Sequence, residues 1–142
     1  MDIRETRSGD LPELTELFRQ LGYQTSSAEL ARRWTAQFGA ADAQSFVAVD
    51  EGEVIGVLVL NYIVPLHEAS PWGLISALVV EESARGTGAG AALLARAEED
   101  AWRRGCGHIE LSSHESREGA HRFYLRNGYA EVRKRFVKKR AV

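Results

Sequence analysis

Leu74-Ile75-Ser76-Ala77-Leu78-Val79-Val80, followed by Glu81-Glu82-Ser83-Ala84 and then Arg85-Gly86-Thr87-Gly88-Ala89-Gly90, decides the fold. The first seven residues are nearly all apolar and rich in strand formers, as a strand covered on both faces should be. The glycines mark a tight turn, and a helix is expected from there to about Arg104. Its buried stripe would include Leu93, Leu94, Ala97 and Ala101, and Arg103, Arg104 and Gly105 give it a cationic, glycine-terminated end. A strand at 108–113 follows. Strand, helix and strand in that order call for a parallel, right-handed crossover.

Upstream, Phe46–Val49 and Val54–Ile63 flank the turn Asp50-Glu51-Gly52-Glu53 and read as an antiparallel hairpin, with Gly56 marking a bulge. Before it stand two helices. The first opens within 8–21 on a capping-box-like Asp10, with Pro12 and Glu13, and stops at Gly22. The second starts at Ser26, presents Leu30, Trp34 and Phe38 on one face, and ends at Gly39. Downstream, a helix is expected from about Arg117 to Asn127, capped by Gly128, then short strands at 129–132 and 134–138. The order α-α-β-β-β-α-β-α-β-β predicts an α/β (α+β mixed) fold: a central mixed, mostly antiparallel sheet flanked by helices on both faces.

The bulk properties narrow the function. The 142 residues suit a single domain, 1–142, and no repeat or low-complexity linker interrupts them. A net charge of −2 gives no field that would draw the chain to nucleic acid or an anionic membrane. The basic tail 133–140 alternates with Phe136 and Val137 like a strand. The N-terminus lacks the apolar segment of a signal peptide, and no apolar run is long enough to span a bilayer. One cysteine, Cys106, cannot form an internal disulfide, and His108 and His121 lack partners at metal-ligand spacing, so no metal is expected. A cytoplasmic protein is the expectation.

Glycines between a buried strand and a helix let the backbone approach a ligand, and the first turn of the helix adds unpaired N–H groups and a positive dipole end. Arg85 can add a charge-assisted bond to the same anion. A phosphate or pyrophosphate fits. A Walker loop is excluded, because Ala91-Ala92 stand where Lys and Ser or Thr are needed. A dinucleotide fingerprint is formally matched by Gly86, Gly88 and Ala91, with Glu110 about twenty residues on. A turn without ligand is the third alternative.

The stretch from Val79 to Leu94 resembles the acetyl-CoA-binding motif of the GCN5-related N-acetyltransferases, with Arg85, Gly88 and Gly90 at its pyrophosphate-binding positions. Ala120-His121-Arg122-Phe123-Tyr124-Leu125-Arg126-Asn127-Gly128-Tyr129 is similar to that family's second signature, a helix with an aromatic pair ending at Gly and an aromatic. The resemblance implies an acetyl-CoA-dependent N-acetyltransferase acting on a primary amine by direct attack in a ternary complex. It implies that the strand before the glycine loop splays from the next parallel strand. Backbone groups at Leu78, Val79 and Val80 would then take the pantetheine arm and the thioester carbonyl. Arg85, Gly86, Thr87, Gly88, Ala89, Gly90 and Ala91 would hold the pyrophosphate. Arg117, Ala120, Phe123, Tyr124 and Arg126 would complete the coenzyme site, Tyr124 protonating the departing sulfur.

Many relatives carry a Glu base in the strand where this chain has Ser76 and Ala77, so a direct carboxylate base is missing there. His67, Glu68 or Glu110 could substitute through water. The acceptor, a small-molecule amine or a peptide amine, would meet Tyr23, His67, Glu68 and Trp72, with Trp34 and Tyr62 as further aromatic walls or core residues. The alternatives are a non-catalytic acetyl-CoA-binding sensor and a dinucleotide-binding module. A homodimer is compatible with either.

Overall fold

The hairpin forms as expected in a computed structural model that describes every residue except 39–41, 113–117, 133–134 and 142. Strands β2 (Ala43–Asp50) and β3 (Glu53–Ile63) are joined through Glu51 and Gly52, both at positive φ (48° and 79°). That is the geometry a two-residue turn needs to match strand twist. The register shifts between Ala48 and Val49, which leaves Ile55 unpaired beside Gly56. Gly56 also has a packing reason. A Cβ there would lie 3.1 Å from Leu93 Cδ1 and 3.3 Å from the Val79 carbonyl oxygen.

The described residues fall into two compact units, 1–112 and 113–142. In the first, β1 (Asp2–Glu5), β2, β3, β4 (Trp72–Val80) and β5 (Ile109–Leu111) lie side by side in chain order. All neighbours are antiparallel except β4 and β5. Strand β1 was not expected: Asp-Ile-Arg-Glu has one apolar residue and shows no alternation long enough to read. It is held instead by pairing Asp2–Glu5 with Phe46–Val49.

Helices α1 (Leu11–Leu21) and α2 (Ser27–Phe38) cover one face of the sheet, where Leu11, Leu14 and Leu17 pack with Val47, Val57 and Val79. Helix α3 (Ala89–Arg103) covers the other, burying Leu93, Leu94, Ala97 and Ala101 and laying Arg96 over the Phe46 ring. The start of α1 corrects the expected capping box. Asp10 turns back to the Arg7 N–H at 2.7 Å and takes both Arg4 nitrogens, at 2.8 and 3.0 Å. Glu13 instead accepts the Val54 N–H of β3 at 3.0 Å. Ser26 does cap α2, its hydroxyl accepting the Glu29 N–H at 3.1 Å.

In the second unit, α4 (Glu118–Arg126) ends as expected at Gly128, with φ of 91°. The strands expected at 129–132 and 134–138 do not form among the described residues of those stretches. Alternating apolar residues make a strand only with a partner edge. Here Val132, Phe136 and Val137 are exposed.

Candidate active site

After β4, Glu82–Ala84 make one 3-10 turn and the chain enters the glycine loop. Gly86 and Gly88 both adopt the left-handed conformation, with φ of 86° and 90°. A Cβ on either would meet nothing within 4 Å. These glycines are therefore required by backbone conformation and leave the outer side of the loop open to a ligand. Gly88 caps α3, whose first rung runs from the Ala92 N–H to the Gly88 carbonyl at 3.0 Å. The N–H groups of Ala89, Gly90 and Ala91 precede that rung and keep their donors for an anion. The first turn of α3 holds no acidic residue.

The loop is braced by its own side chains. Thr87 Oγ1 donates to the Ala84 carbonyl at 2.6 Å, and Arg85 Nε to the Val80 carbonyl at 3.2 Å. The carboxylate of Glu81 accepts the Ser83 N–H at 2.8 Å and the Ser83 hydroxyl. That hydroxyl bond is the main reason its pKa lies below the usual carboxylate value. Gln20 of α1 takes the Glu82 N–H at 3.2 Å, tying the loop to the first helix.

The parallel pairing of β4 with β5 covers only Gly73–Ile75 and Ile109–Leu111. From Ser76 to Val80 the strand has β3 on one side and no paired strand on the other among the described residues. The expected gap is thus present, a wedge that opens toward the glycine loop and closes at the Ile75–Leu111 pair. Ser76 itself is the bulged residue, because Val59 pairs with Ala77 and Leu60 with Ile75. Its hydroxyl, on the α1–α2 face, donates to Asn61 Oδ1 at 2.6 Å.

Register also settles the dinucleotide alternative. Glu110 pairs with Leu74, near the start of β4, about 20 Å of strand from the glycine loop. A ribose-binding acid belongs at the other end, and among the described strands only one pair is parallel.

On the α1–α2 face of the same strand ends, the Trp72 ring stacks on His108 at 5.3 Å and 11°. His108 Nε2 lies 2.7 Å from Glu110 Oε2. Two residues apart on a strand share a face, and that spacing is the sequence signal for this pair. The other expected acceptor residues are not brought into this cluster by any recorded contact. Tyr23 is exposed just past the end of α1, and His67 and Glu68 face each other at 3.6 Å on the exposed loop 64–71. Trp34 stacks on Phe38 at 4.4 Å and lines an apolar cavity of about 150 Å³ between α1, α2 and the sheet. Tyr62 points the opposite way, toward α3. Its hydroxyl bonds to the buried Asp100, and the Arg104 guanidinium lies 4.1 Å over its ring. Burial first, and the Asp100 bond second, raise the Tyr62 pKa well above its usual value. Burial likewise raises the Cys106 thiol, which suits a packing residue and not a nucleophile.

Within α4 and its exit, Tyr124 meets Phe123 edge-on at 5.4 Å and Tyr129 at 6.1 Å. Asn127 Nδ2 donates to the Phe123 carbonyl at 2.8 Å. Ala120 is half-buried and Arg126 exposed. Arg117 lies outside the described residues.

A left-handed glycine loop at a helix start stands beside a strand paired on one edge only, an arrangement with the open backbone groups that an extended ligand ending in a diphosphate needs. Residues 11–129 match the acetyltransferase (GNAT) family, and the chain belongs to it. It is 45% identical over 92 residues to an aminoalkylphosphonate N-acetyltransferase of Salmonella typhimurium. That match covers 65% of this chain and 60% of the relative's length. Among solved structures, a putative acetyltransferase from Agrobacterium tumefaciens superposes with a TM-score of 0.90 at 25% identity, over 99% of this chain and 100% of that one. A GNAT family acetyltransferase from Staphylococcus aureus does so with 0.81 at 26% identity, over 97% of each. Among the described residues no helix is long and apolar enough to cross a membrane.

Proposed function

We propose that this chain moves an acetyl group from acetyl-CoA to a primary amine of a small molecule, by direct attack in a ternary complex. The observation that carries the reading is the wedge beside Ser76–Val80, with the Gly86–Gly88 loop at its mouth. The loop and the first N–H groups of α3 would hold the pyrophosphate, with Arg85 swinging from the Val80 carbonyl to join them. The pantetheine arm would occupy the place of the missing strand, bonding to Leu78, Val79 and Val80. Its thioester would then point at the closed end. The single buried cysteine suits a reducing compartment such as the cytoplasm.

An acetyl thioester needs a neutral amine as nucleophile, a state an ammonium group reaches by losing one proton before attack. The acceptor is an aminoalkyl compound with a flexible approach to the Trp72 face, where a cation is attracted to the ring. The Salmonella relative's name makes aminoalkylphosphonates the first acceptors to try, with diamines, amino sugars and peptide N-termini beside them. The test is coenzyme A release, followed with a thiol reagent, over such a panel and matched alcohols. Release with amines only, rising with pH toward the amine's own pKa, is expected. Release with alcohols alone would refute the reading. Tight acetyl-CoA binding with no release from any acceptor would make the chain a sensor.

A further inference from the structure

Helices α1 and α2 bury Val57 and Val79 on their face of the sheet, yet a few residues back along β4 Ser76, on the same face, is exposed. The helical cover therefore stops short of the point where the wedge closes. Ser76 stands in that opening with Asn61 of β3. We propose that this pair reads the acceptor: Ser76 Oγ accepts an N–H of the attacking amine, and the Asn61 carboxamide donates to an oxygen three bonds from that nitrogen. The substrate class is then a primary amine with a phosphonate, carboxylate or hydroxyl oxygen in an N–C–P–O or N–C–C–O unit. This rests on the acetyltransfer reading above.

The bulge in β4 sets the geometry. Val59 pairs with Ala77 and Leu60 with Ile75, so Ser76 has no residue opposite it on β3. Bulges re-aim side chains in this way. Asn61 lies two residues beyond Val59, which packs against the α1 cluster, so the two share that face. Ser76 Oγ donates to Asn61 Oδ1 at 2.6 Å, and the Val59 carbonyl oxygen lies 3.5 Å away as a second acceptor. With its proton committed, the hydroxyl offers a ligand only lone pairs. It therefore takes an N–H from the amine and leaves the nitrogen's own lone pair free to attack. Ser76 is also the first residue of β4 beyond the Ile75–Leu111 pair, where an arm running down the wedge from the glycine loop brings its thioester.

Asn61 supplies the second contact. Its Oδ1 is occupied by Ser76, whereas Nδ2 has no acceptor among the described residues. Asn61 is half-buried, and among the described residues no enclosed side-chain nitrogen or oxygen lacks a partner, so Nδ2 is open to solvent. The acceptor at Ser76 and the donor at Asn61 are separated by one hydrogen bond and the width of one amide. A nitrogen and an oxygen three bonds apart can meet both at hydrogen-bond length, whereas a plain alkylamine leaves Nδ2 to water. The flanking side chains on this face of β4, Leu74 and Ala77, are apolar and offer no competing contact. The pair carries no charge, so an anionic and a neutral oxygen fit alike, and the assay tells them apart.

The experiment measures kcat/KM, referred to the neutral-amine fraction, for aminomethylphosphonate, glycine, ethanolamine, propanolamine and ethylamine. The wild type is expected to favour at least one of the first three over ethylamine by about tenfold, the worth of one hydrogen bond, and over propanolamine, whose oxygen is one bond too far. Whether the two acids or ethanolamine lead identifies the oxygen as anionic or neutral. Asn61→Asp keeps an acceptor for the Ser76 hydroxyl, and hence the bulge, but puts an oxygen where the donor was. The preference over ethylamine should then fall below about twofold. Ser76→Ala should lower kcat/KM about tenfold for every amine, while acetyl-CoA affinity by calorimetry stays within about twofold. A wild type that never favours an oxygen-bearing amine, a preference that survives Asn61→Asp, or a Ser76→Ala variant with the wild-type rate would overturn the assignment while leaving acetyl transfer intact. A wild type inert toward every amine would overturn both.

Discussion

Gly88→Ala and Gly88→Val separate the conformational role of the loop from its ligand role. Gly88 sits at φ of 90° with open space where a Cβ would go. In the free protein the cost of a side chain is therefore backbone strain alone, about 1–2 kcal/mol. For a chain this size that lowers Tm by roughly 3–8 °C. Gly105, past the other end of α3, provides the control: its φ is 81° and it too has nothing within 4 Å. Gly105→Ala should cost the same stability. Only the Gly88 variants should lose acetyl-CoA affinity, because only there does the new side chain stand between a pyrophosphate and the backbone donors. Val, branched at Cβ, should weaken binding at least about tenfold, or about 1.4 kcal/mol. The assays are differential scanning calorimetry without ligand and titration calorimetry with acetyl-CoA. Unchanged affinity in a folded Gly88→Val variant, or equal affinity losses at Gly88 and Gly105, would remove the loop as the binding site. NADH binding tighter than acetyl-CoA would do the same for the proposed coenzyme.

Tyr124→Phe keeps the ring that packs on Phe123 and Tyr129 but deletes the proton. Turnover should fall roughly ten- to a thousandfold with acetyl-CoA affinity unchanged, and a wild-type rate with chemistry limiting would make Tyr124 a packing residue. Tyr62→Phe leaves the buried Asp100 without its phenol and should cost about 2 kcal/mol in chemical denaturation without touching kcat. Arg4 lowers the Asp10 pKa from its usual value near 3.8, chiefly by hydrogen bonding, so the pair's contribution is whole above that value and is lost as the pH falls through the lowered one. Asp10→Asn should accordingly be about 2 kcal/mol less stable at pH 7 and show a flatter acid limb in a stability–pH series.

Much of this was legible in the residues because local signals and tertiary packing agree. The apolar run into β4, the glycines after it and the stripe on α3 each predict one element, and each forms. The glycine loop is legible for the same reason: Gly86 and Gly88 are needed for conformation, which sequence reports directly. Strand β1 is different, since its four residues are held by a partner more than forty positions away and carry no pattern of their own. The C-terminal alternation around Phe136 is the converse, a strand-like pattern with no ladder. Roles that depend on which face a residue takes were hidden. Tyr62 reads equally as an acceptor wall or a core residue until the register puts it against α3. His108 and Glu110 share a face by their spacing alone, but their place beside Trp72 and Leu74 emerges only once β5 is paired with β4.

The sheet's strand order has a consequence for how the first unit assembles. Each strand neighbours its predecessor in the chain, so a growing polypeptide can add them one at a time as they are synthesised. The β2–β3 and β3–β4 pairings close short loops, whereas β1–β2 and β4–β5 are each separated by helices. β5 must wait for the whole of α3 to fold back, and it is then held by three residue pairs, against eight for β2 on β3. It should be the last strand to arrive and the first to open, and its amides should exchange with solvent well ahead of those in the hairpin. Any ligand lying in the gap beside β4 would bind next to this least secured edge and slow its opening.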